Sequence, residues 1–198
     1  MKRRFFFRVP RVALILHLCA SVASLLCLDL AGSGAGLAVF ANGKSDTIRL
    51  RGLDGKTYDT SEMRGQVVLL SFGATWCAPC KAEIAALEEL KREYAGRPVR
   101  FLWVSIESRH KASDGALRDY AKGLQMTIPV LRDPDMEVYE MFSPRVRIPL
   151  VVFVGKDGKA VLPAQIGMAS PETYKSAVRA RLDALLAGRS APADLNTR

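Results

Sequence analysis

The sequence is poor in the residues that build cross-linked or metal-stabilised scaffolds. Its 198 residues include only four cysteines and two histidines, too few for a disulfide-rich scaffold. Beyond the N-terminal segment, one Cys-x-x-Cys pair and His110 are the only such residues, which argues against a four-ligand structural zinc site. Covalent haem attachment is excluded because it needs a histidine directly after the second cysteine, where this chain has Lys81.

Long blocks of like charge are also absent after Arg11, although the net charge is +9. The body of the chain is only mildly basic, so a nucleic-acid partner is not expected. Apolar residues make up 49% of the chain and charged residues 25%. This composition fits one packed globular domain and excludes a disordered chain, a collagen and a multi-span membrane protein.

The N-terminal 41 residues have the order of a secretory signal. Basic residues up to Arg11 precede an apolar run over 12–28, and small residues fill most of 31–41. Two alternatives stay open: cleavage after Ala41, or retention of 12–28 as an anchor at the short limit of what spans a core of about 30 Å. Either way the body is expected outside the cytoplasm. The predicted organisation is a leader over 1–41, a domain over 42–187 and a mobile tail over 188–198.

Strand and helix patterns alternate through the body. A hairpin is predicted around 48–60, and two buried strands at 66–72 and 99–106 flank a helix. That helix carries an apolar stripe of Ile84, Leu87 and Leu90, with Glu88 and other charged residues assigned to its remaining faces. Further elements are predicted as a helix over 113–122, an extended segment at 128–131, helical turns within 135–142, a second hairpin over 149–166 and a helix over 170–186. The fold class is α/β, with a hairpin at each end of a central β-α-β unit.

The segment 76–80, Trp-Cys-Ala-Pro-Cys, lies where a buried strand passes into a helix. At the start of a helix, unpaired N–H groups and the macrodipole favour a thiolate over a thiol, so Cys77 is the predicted nucleophile. Cys80 lies one turn further on and can attack a mixed disulfide formed at Cys77. Pro79 suits the first turn because it donates no hydrogen bond there. A purely structural disulfide is poorly motivated, since so short a loop contributes little stabilisation.

The segment 72–80, Phe-Gly-Ala-Thr-Trp-Cys-Ala-Pro-Cys, resembles the active-site signature of the thioredoxin superfamily, and the following Lys-Ala-Glu narrows the resemblance to its extracytoplasmic TlpA/ResA/CcmG-like branch. The resemblance covers roughly 45–187. It implies a thioredoxin-like fold with a central mixed sheet flanked by helices and an extra N-terminal hairpin. It also implies a cis bond between Ile148 and Pro149, which would present the backbone of Ile148 to a bound peptide and keep metals from the thiols.

Ser71 and Glu83 refine this resemblance. Thioredoxins proper carry a buried aspartate in the strand before the motif, where this chain has Ser71. The favoured branch places an acidic residue three positions after the second cysteine, and Glu83 matches it. A carboxylate there would accept the proton of Cys80 if burial raised its pKa. The alternative is a solvated glutamate that interacts with the helix dipole.

Two further groups have alternative interpretations. Trp76 either shields the sulfurs and contacts partners or covers the sheet edge, and its position beside Cys77 favours the first. Arg145 and Arg147 either lie near the thiols and favour acidic partners or are solvated loop charges.

The sequence therefore predicts a thiol-disulfide oxidoreductase that needs no cofactor and acts on exported proteins through Cys77 and Cys80. A membrane electron donor with thiols is expected to reduce this cysteine pair again after each reaction. Reduction is the expected direction because strong oxidants of the superfamily have histidine where this chain has Pro79. The alternative is a binding module in which the same cysteine pair holds Cu(I). A peroxidase ranks last because Thr75 is only two residues before Cys77, whereas a peroxidatic cysteine is expected to follow threonine by three.

Overall fold

The computed structural model describes residues 47–168 and 170–189. Its strands are β1 (Arg49–Gly52), β2 (Thr57–Asp59), β3 (Val67–Gly73), β4 (Val99–Ser105), β5 (Val130–Arg132), β6 (Leu150–Val154) and β7 (Ala160–Ile166). Its α-helices are α1 (Ala78–Glu93), α2 (Asp114–Gly123) and α3 (Pro171–Leu186). Short 3-10 helices lie at Thr60–Met63 and Tyr139–Met141.

The strands form one mixed sheet in the order β2-β1-β5-β4-β3-β6-β7. Strands β3, β4 and β5 are parallel to one another, and the remaining neighbours pair antiparallel. The β3-α1-β4 unit therefore occupies the centre, and the β1–β2 and β6–β7 hairpins extend the two sides. This arrangement confirms the predicted mixed sheet and both hairpins.

Alternation along β3 divides the core into two layers. Val67 and Leu69 face a layer that includes the apolar stripes of α1 and α3. Val68, Leu70 and Phe72 face the opposite layer, which includes Ile48, Leu150 and Tyr139. The whole of β3 is buried, as expected for a central strand covered on both faces. The carboxyl end of this strand leads directly into the segment that carries the two cysteines.

Most predicted elements are confirmed within a few residues, including the stripe of Ile84, Leu87 and Leu90, which is buried. The prediction for Glu88 was wrong, because its side chain is buried instead of lying on a polar face. Its carboxylate accepts hydrogen bonds from the backbone N–H groups of Thr127 and Ile128 and from the Thr127 hydroxyl, which offsets the cost of burial.

The predicted leader over 1–41 and most of the predicted tail over 188–198 lie outside the described residues. Within 47–168 and 170–189, no helix combines the length and the apolar character needed to cross a membrane.

Candidate active site

Cys77 and Cys80 lie at the start of α1, as the sequence predicts, and are joined by a disulfide. Cys77 is the N-cap of the helix, and its Sγ accepts a hydrogen bond of 3.2 Å from the backbone N–H of Cys80. Pro79 occupies the first turn. The backbone N–H and the helix dipole both favour negative charge on Cys77 Sγ. Cys77 retains 4% exposure and Cys80 none, so Cys77 is the more accessible cysteine.

Gly73 allows the cysteines to approach the end of β3. A Cβ atom at this position would lie 3.0 Å from Trp103 Nε1 and 3.3 Å from Cys80 Sγ. Both distances are too short for a comfortable carbon contact, so a side chain here would push against a buried indole and the second sulfur. A larger residue at position 73 would therefore require the buried indole or the second sulfur to shift by a few tenths of an ångström.

The Ile148–Pro149 peptide bond is cis, as expected from the resemblance. Ile148 packs against the cluster formed by Ala74, Cys77 and Cys80, which brings this loop to the disulfide. The carbonyl of Pro149 accepts a hydrogen bond from the N–H of Gly167. The N–H and carbonyl of Ile148, in contrast, have no hydrogen-bond partner among the described residues. They are therefore free to pair with an extended peptide.

Glu83 is fully buried, which excludes the solvated alternative. Its carboxylate accepts a hydrogen bond of 2.6 Å from the Ser71 hydroxyl and one of 2.7 Å from the Tyr174 hydroxyl. Burial raises the pKa of Glu83 to about 7, and the two hydrogen bonds lower it in part. Glu83 follows Cys80 by three residues on α1, so both side chains lie on one face of the helix.

Sequence reasoning missed Tyr174, which lies 91 residues from Glu83 along the chain and reaches it from α3. Burial and the neighbouring carboxylate raise the pKa of this phenol well above its usual value, so Tyr174 acts as a hydrogen-bond donor. A usable signal existed: Tyr174 begins the buried stripe of α3 that continues with Val178 and Leu182.

Glu107 was missed as well, and it holds the segment before the cysteines. Its carboxylate accepts hydrogen bonds of 2.8 Å from both the backbone N–H and the hydroxyl of Thr75. Glu107 is buried and follows the carboxyl end of β4, beside the end of β3. Polar residues at the carboxyl ends of parallel strands gather at one edge of a sheet, and this position was the available signal.

Tyr139 holds the loop before Pro149, a contact that no sequence pattern indicates. Its hydroxyl accepts a hydrogen bond of 2.7 Å from the N–H of Arg147. The same hydroxyl lies within donating distance of the carbonyl oxygens of Arg145 and Arg147. The Ser143 hydroxyl donates to the Arg145 carbonyl as well, at 2.7 Å. The backbone of this loop is therefore anchored, while both arginine side chains are exposed.

Trp76 is 64% exposed, so most of its side chain faces solvent. It lines a cavity of about 280 Å³ and directly precedes Cys77 in the chain. The other lining residues are Ile106, Glu107, Ser108, Lys111, Pro134, Asp135, Met136 and Val146. An exposed aromatic ring beside a groove is a feature of surfaces that bind partners.

Among the described residues, no group of three or more histidine, cysteine, aspartate or glutamate side chains is placed to hold a metal ion. The two sulfurs of Cys77 and Cys80 are thus the soft ligands that the copper alternative would use, without a third from this set.

Residues 43–161 match the model of a known protein family, described as AhpC/TSA. The chain belongs to the AhpC/TSA family. Among curated relatives, the thiol-disulfide oxidoreductase ResA of Oceanobacillus iheyensis is 33% identical over 91 residues, covering 46% of this chain and 45% of that protein. ResA of Bacillus subtilis is 25% identical over 162 residues, covering 81% and 84%. The chain thus spans about half the length of the first of these family relatives.

Solved structures support the same fold. The exposed lipoprotein thioredoxin of Streptococcus pneumoniae is 31% identical, with a TM-score of 0.56 over 67% of this chain and 98% of that one. A thiol:disulfide interchange protein of the thioredoxin family from Chlorobium tepidum is 18% identical, with a TM-score of 0.57 over 71% and 93%. The thioredoxin-like fold expected from the signature is therefore confirmed.

Proposed function

We propose that this protein is a thiol-disulfide oxidoreductase that reduces disulfides of exported proteins. The observation that carries the proposal is the meeting of three features: the Cys77–Cys80 pair at the start of α1, the unpaired backbone of Ile148 before a cis proline, and a fully buried Glu83 on the same helix. The names of the ResA relatives support this activity.

The reaction starts with both cysteines reduced. The Cys77 thiolate attacks one sulfur of a substrate disulfide, forming a mixed disulfide and releasing the other substrate sulfur as a thiolate, which takes a proton from solvent. Cys80 then loses its proton and attacks Cys77 Sγ. The mixed disulfide breaks, the second substrate sulfur leaves as a thiolate, and two electrons have passed from the protein to the substrate. The product is the Cys77–Cys80 disulfide present in this structure.

Glu83 accepts the proton of Cys80 in the second step. A carboxyl group with a pKa of about 7 is suited to this exchange, because it is poised to gain or lose a proton near neutral pH. Ser71 and Tyr174 donate hydrogen bonds that orient the carboxylate. Trp76, Ile148 and Pro149 contact the substrate, and Pro79 shapes the first helical turn.

The substrates are disulfides of exported proteins, such as the haem-binding cysteines of apocytochromes or the cysteines of copper sites. A membrane protein with thiols returns the Cys77–Cys80 pair to the reduced form. The protein acts outside the cytoplasm. It is either released after cleavage of the leader or anchored in the membrane through residues 12–28.

The test is single-turnover reduction of a model protein disulfide by the full-length protein. Cys80→Ser is expected to accumulate a mixed disulfide with substrate, whereas Cys77→Ser forms none and loses at least about a thousand-fold in rate. A potential well below about −120 mV is expected of a reductant. The proposal is contradicted if the reduced protein leaves the disulfide intact, or if it binds Cu(I) stoichiometrically without turning over any disulfide.

A further inference from the structure

The loop Arg145-Val146-Arg147 lies next to the backbone that is expected to pair with substrate. Arg147 directly precedes Ile148, which packs against the cysteine cluster. Tyr139 and Ser143 hold the loop backbone through the hydrogen bonds described above. An anchored backbone loses little conformational freedom when a partner binds, so the loop presents its side chains from fixed backbone positions.

The charge on this loop is uncompensated. Both arginines are exposed, and neither guanidinium has an ion-pair or hydrogen-bond partner anywhere in 47–168 or 170–189. This differs from the exposed Arg109 and the half-buried Arg179, which are paired with Asp114 and Glu93. A guanidinium without an internal partner is available to a carboxylate on another molecule, which it binds through two parallel hydrogen bonds.

Val146 lies between the two arginines, is 50% exposed and lines the cavity beside Trp76. The cavity lining also includes the buried Ile106. Of the acidic groups there, Glu107 already accepts two hydrogen bonds from Thr75, and the exposed Asp135 has the exposed Lys111 as a counter-charge in the same lining. The cavity is therefore suited to an apolar side chain, with two cationic side chains on the adjoining loop.

We propose that this surface selects substrate segments in which acidic and apolar residues flank the cysteine. The apolar residue enters the cavity between Trp76 and Val146, and the flanking carboxylates pair with Arg145 and Arg147. The proposal rests on the disulfide-reductase function and adds the chemistry of its substrates. The occupant is an extended segment of an oxidised protein, because the free N–H and carbonyl of Ile148 complement a strand.

The experiment compares peptide disulfides of equal length in which the residues next to each cysteine are aspartate, serine or lysine. At an ionic strength of about 0.02 M, the full-length protein is expected to reduce the aspartate peptide about five- to ten-fold faster than the serine peptide, and the lysine peptide slower than both. At about 0.5 M the three rates are expected to converge, since salt screens exposed charges.

Two double variants test whether the preference for aspartate depends on Arg145 and Arg147. Arg145→Gln/Arg147→Gln is expected to remove the preference, and Arg145→Glu/Arg147→Glu to reverse it. The matched control Arg49→Glu/Arg51→Glu reverses two exposed charges on β1, which is separated from β3 by β5 and β4, and is expected to keep the preference. Circular dichroism establishes that each variant is folded.

Hydroxyethyl disulfide is small and uncharged, so its reduction tests the disulfide-reductase function without the selection of substrate segments. Its reduction is expected to be equal in all variants. If the protein reduces it and the serine peptide but shows no preference for aspartate, or if the β1 control loses the preference as well, the selection proposal is wrong while the reductase function stands. If no disulfide is reduced, the reductase function fails and the selection proposal fails with it.

Discussion

The two sides of the cysteine pair differ in how completely their polar groups are paired. On the inner side, Glu83, Ser71 and Tyr174 are buried, and both hydroxyl groups donate hydrogen bonds to the Glu83 carboxylate. On the outer side, the side chains of Arg145 and Arg147 are exposed, and their guanidinium groups have no partner among the described residues. A closed hydrogen-bond network suits proton transfer within the protein, whereas unpaired surface groups suit recognition. In the proposed reaction, capture of a substrate and resolution of the mixed disulfide would therefore depend on different residues.

The strongest test of this division is Glu83→Gln. Without a proton acceptor, attack of Cys80 on the mixed disulfide is expected to slow about a hundred-fold, while formation of the mixed disulfide at Cys77 is unchanged. Rapid-quench measurement of the mixed disulfide separates the two steps. In the unmodified protein the resolution rate is expected to rise with pH through about 7, the pKa of Glu83, and this inflection disappears in the variant.

Glu88→Gln is the matched control, since Glu88 is another buried carboxylate of α1 whose partners are Thr127 and Ile128. It is expected to keep the resolution rate and its pH inflection. Equal slowing in both variants would show that any buried charge on α1 has the same effect, and the assigned role of Glu83 would be lost.

A second test uses the pH dependence of stability. Burial raises the pKa of Glu83 from 4.5 to about 7, so the folded state retains a proton that the unfolded state has released between these values. This contribution to stability is complete below pH 4.5 and declines as the pH rises to about 7. The difference corresponds to about 3 kcal/mol. Urea denaturation at pH 4.5 and pH 8 is expected to show Glu83→Gln gaining stability relative to the unmodified protein as the pH rises.

The contribution of Glu88 to stability depends on pH in the opposite direction. Burial raises its pKa, but the hydrogen bonds from Thr127 and Ile128 together outweigh this, so its pKa is lowered. Its contribution is present above the unfolded pKa and is lost as the pH falls. Glu88→Gln is therefore expected to cost more stability at pH 8 than at low pH. The same slope for both variants would contradict the distinct environments of these two carboxylates.

The order of the helices and strands was predictable, as was the placement of the two cysteines at the start of a helix, because both depend on local sequence patterns. The buried runs of β3 and β4 and the stripe of α1 are periodic, and Cys77 and Cys80 belong to a short motif. The cis bond at Pro149 was expected from the family resemblance alone. Each of these features is contained in a few consecutive residues or in a known signature.

The partners of the motif were not predictable in the same way. Tyr174 reaches Glu83 only because α3 packs beside α1, and Glu107 reaches Thr75 only because β4 pairs with β3 in a particular register. Glu88 was misassigned for the same reason, since its partners lie 39 and 40 residues further along the chain. Helix packing and strand register determine such contacts, and the periodicity of a single sequence contains no information about either.

Glu107 has two structural roles, because its carboxylate holds Thr75 before the cysteines and its side chain also lines the cavity beside Trp76. Glu107→Ala leaves the Thr75 N–H without its acceptor and is expected to lower the free energy of unfolding by about 2 kcal/mol. Glu137→Ala, at an exposed glutamate, is the control and is expected to have little effect. Chemical denaturation measures both. A loss below about 0.5 kcal/mol for Glu107→Ala would mean that this carboxylate does not hold the loop.

The smallest expected effect comes from Tyr174→Phe, which removes one hydrogen bond from the Glu83 carboxylate and leaves the ring in place. Loss of a donor to the charged form raises the pKa of Glu83, so the pH inflection of resolution is expected to move upward and the rate at pH 7 to fall about five-fold. Tyr94→Phe is the control, because the Tyr94 hydroxyl donates to Asp183 and likewise joins α1 to α3. If that control moved the inflection equally, the shift would reflect helix packing in general, whereas an unmoved control assigns it to the inner network.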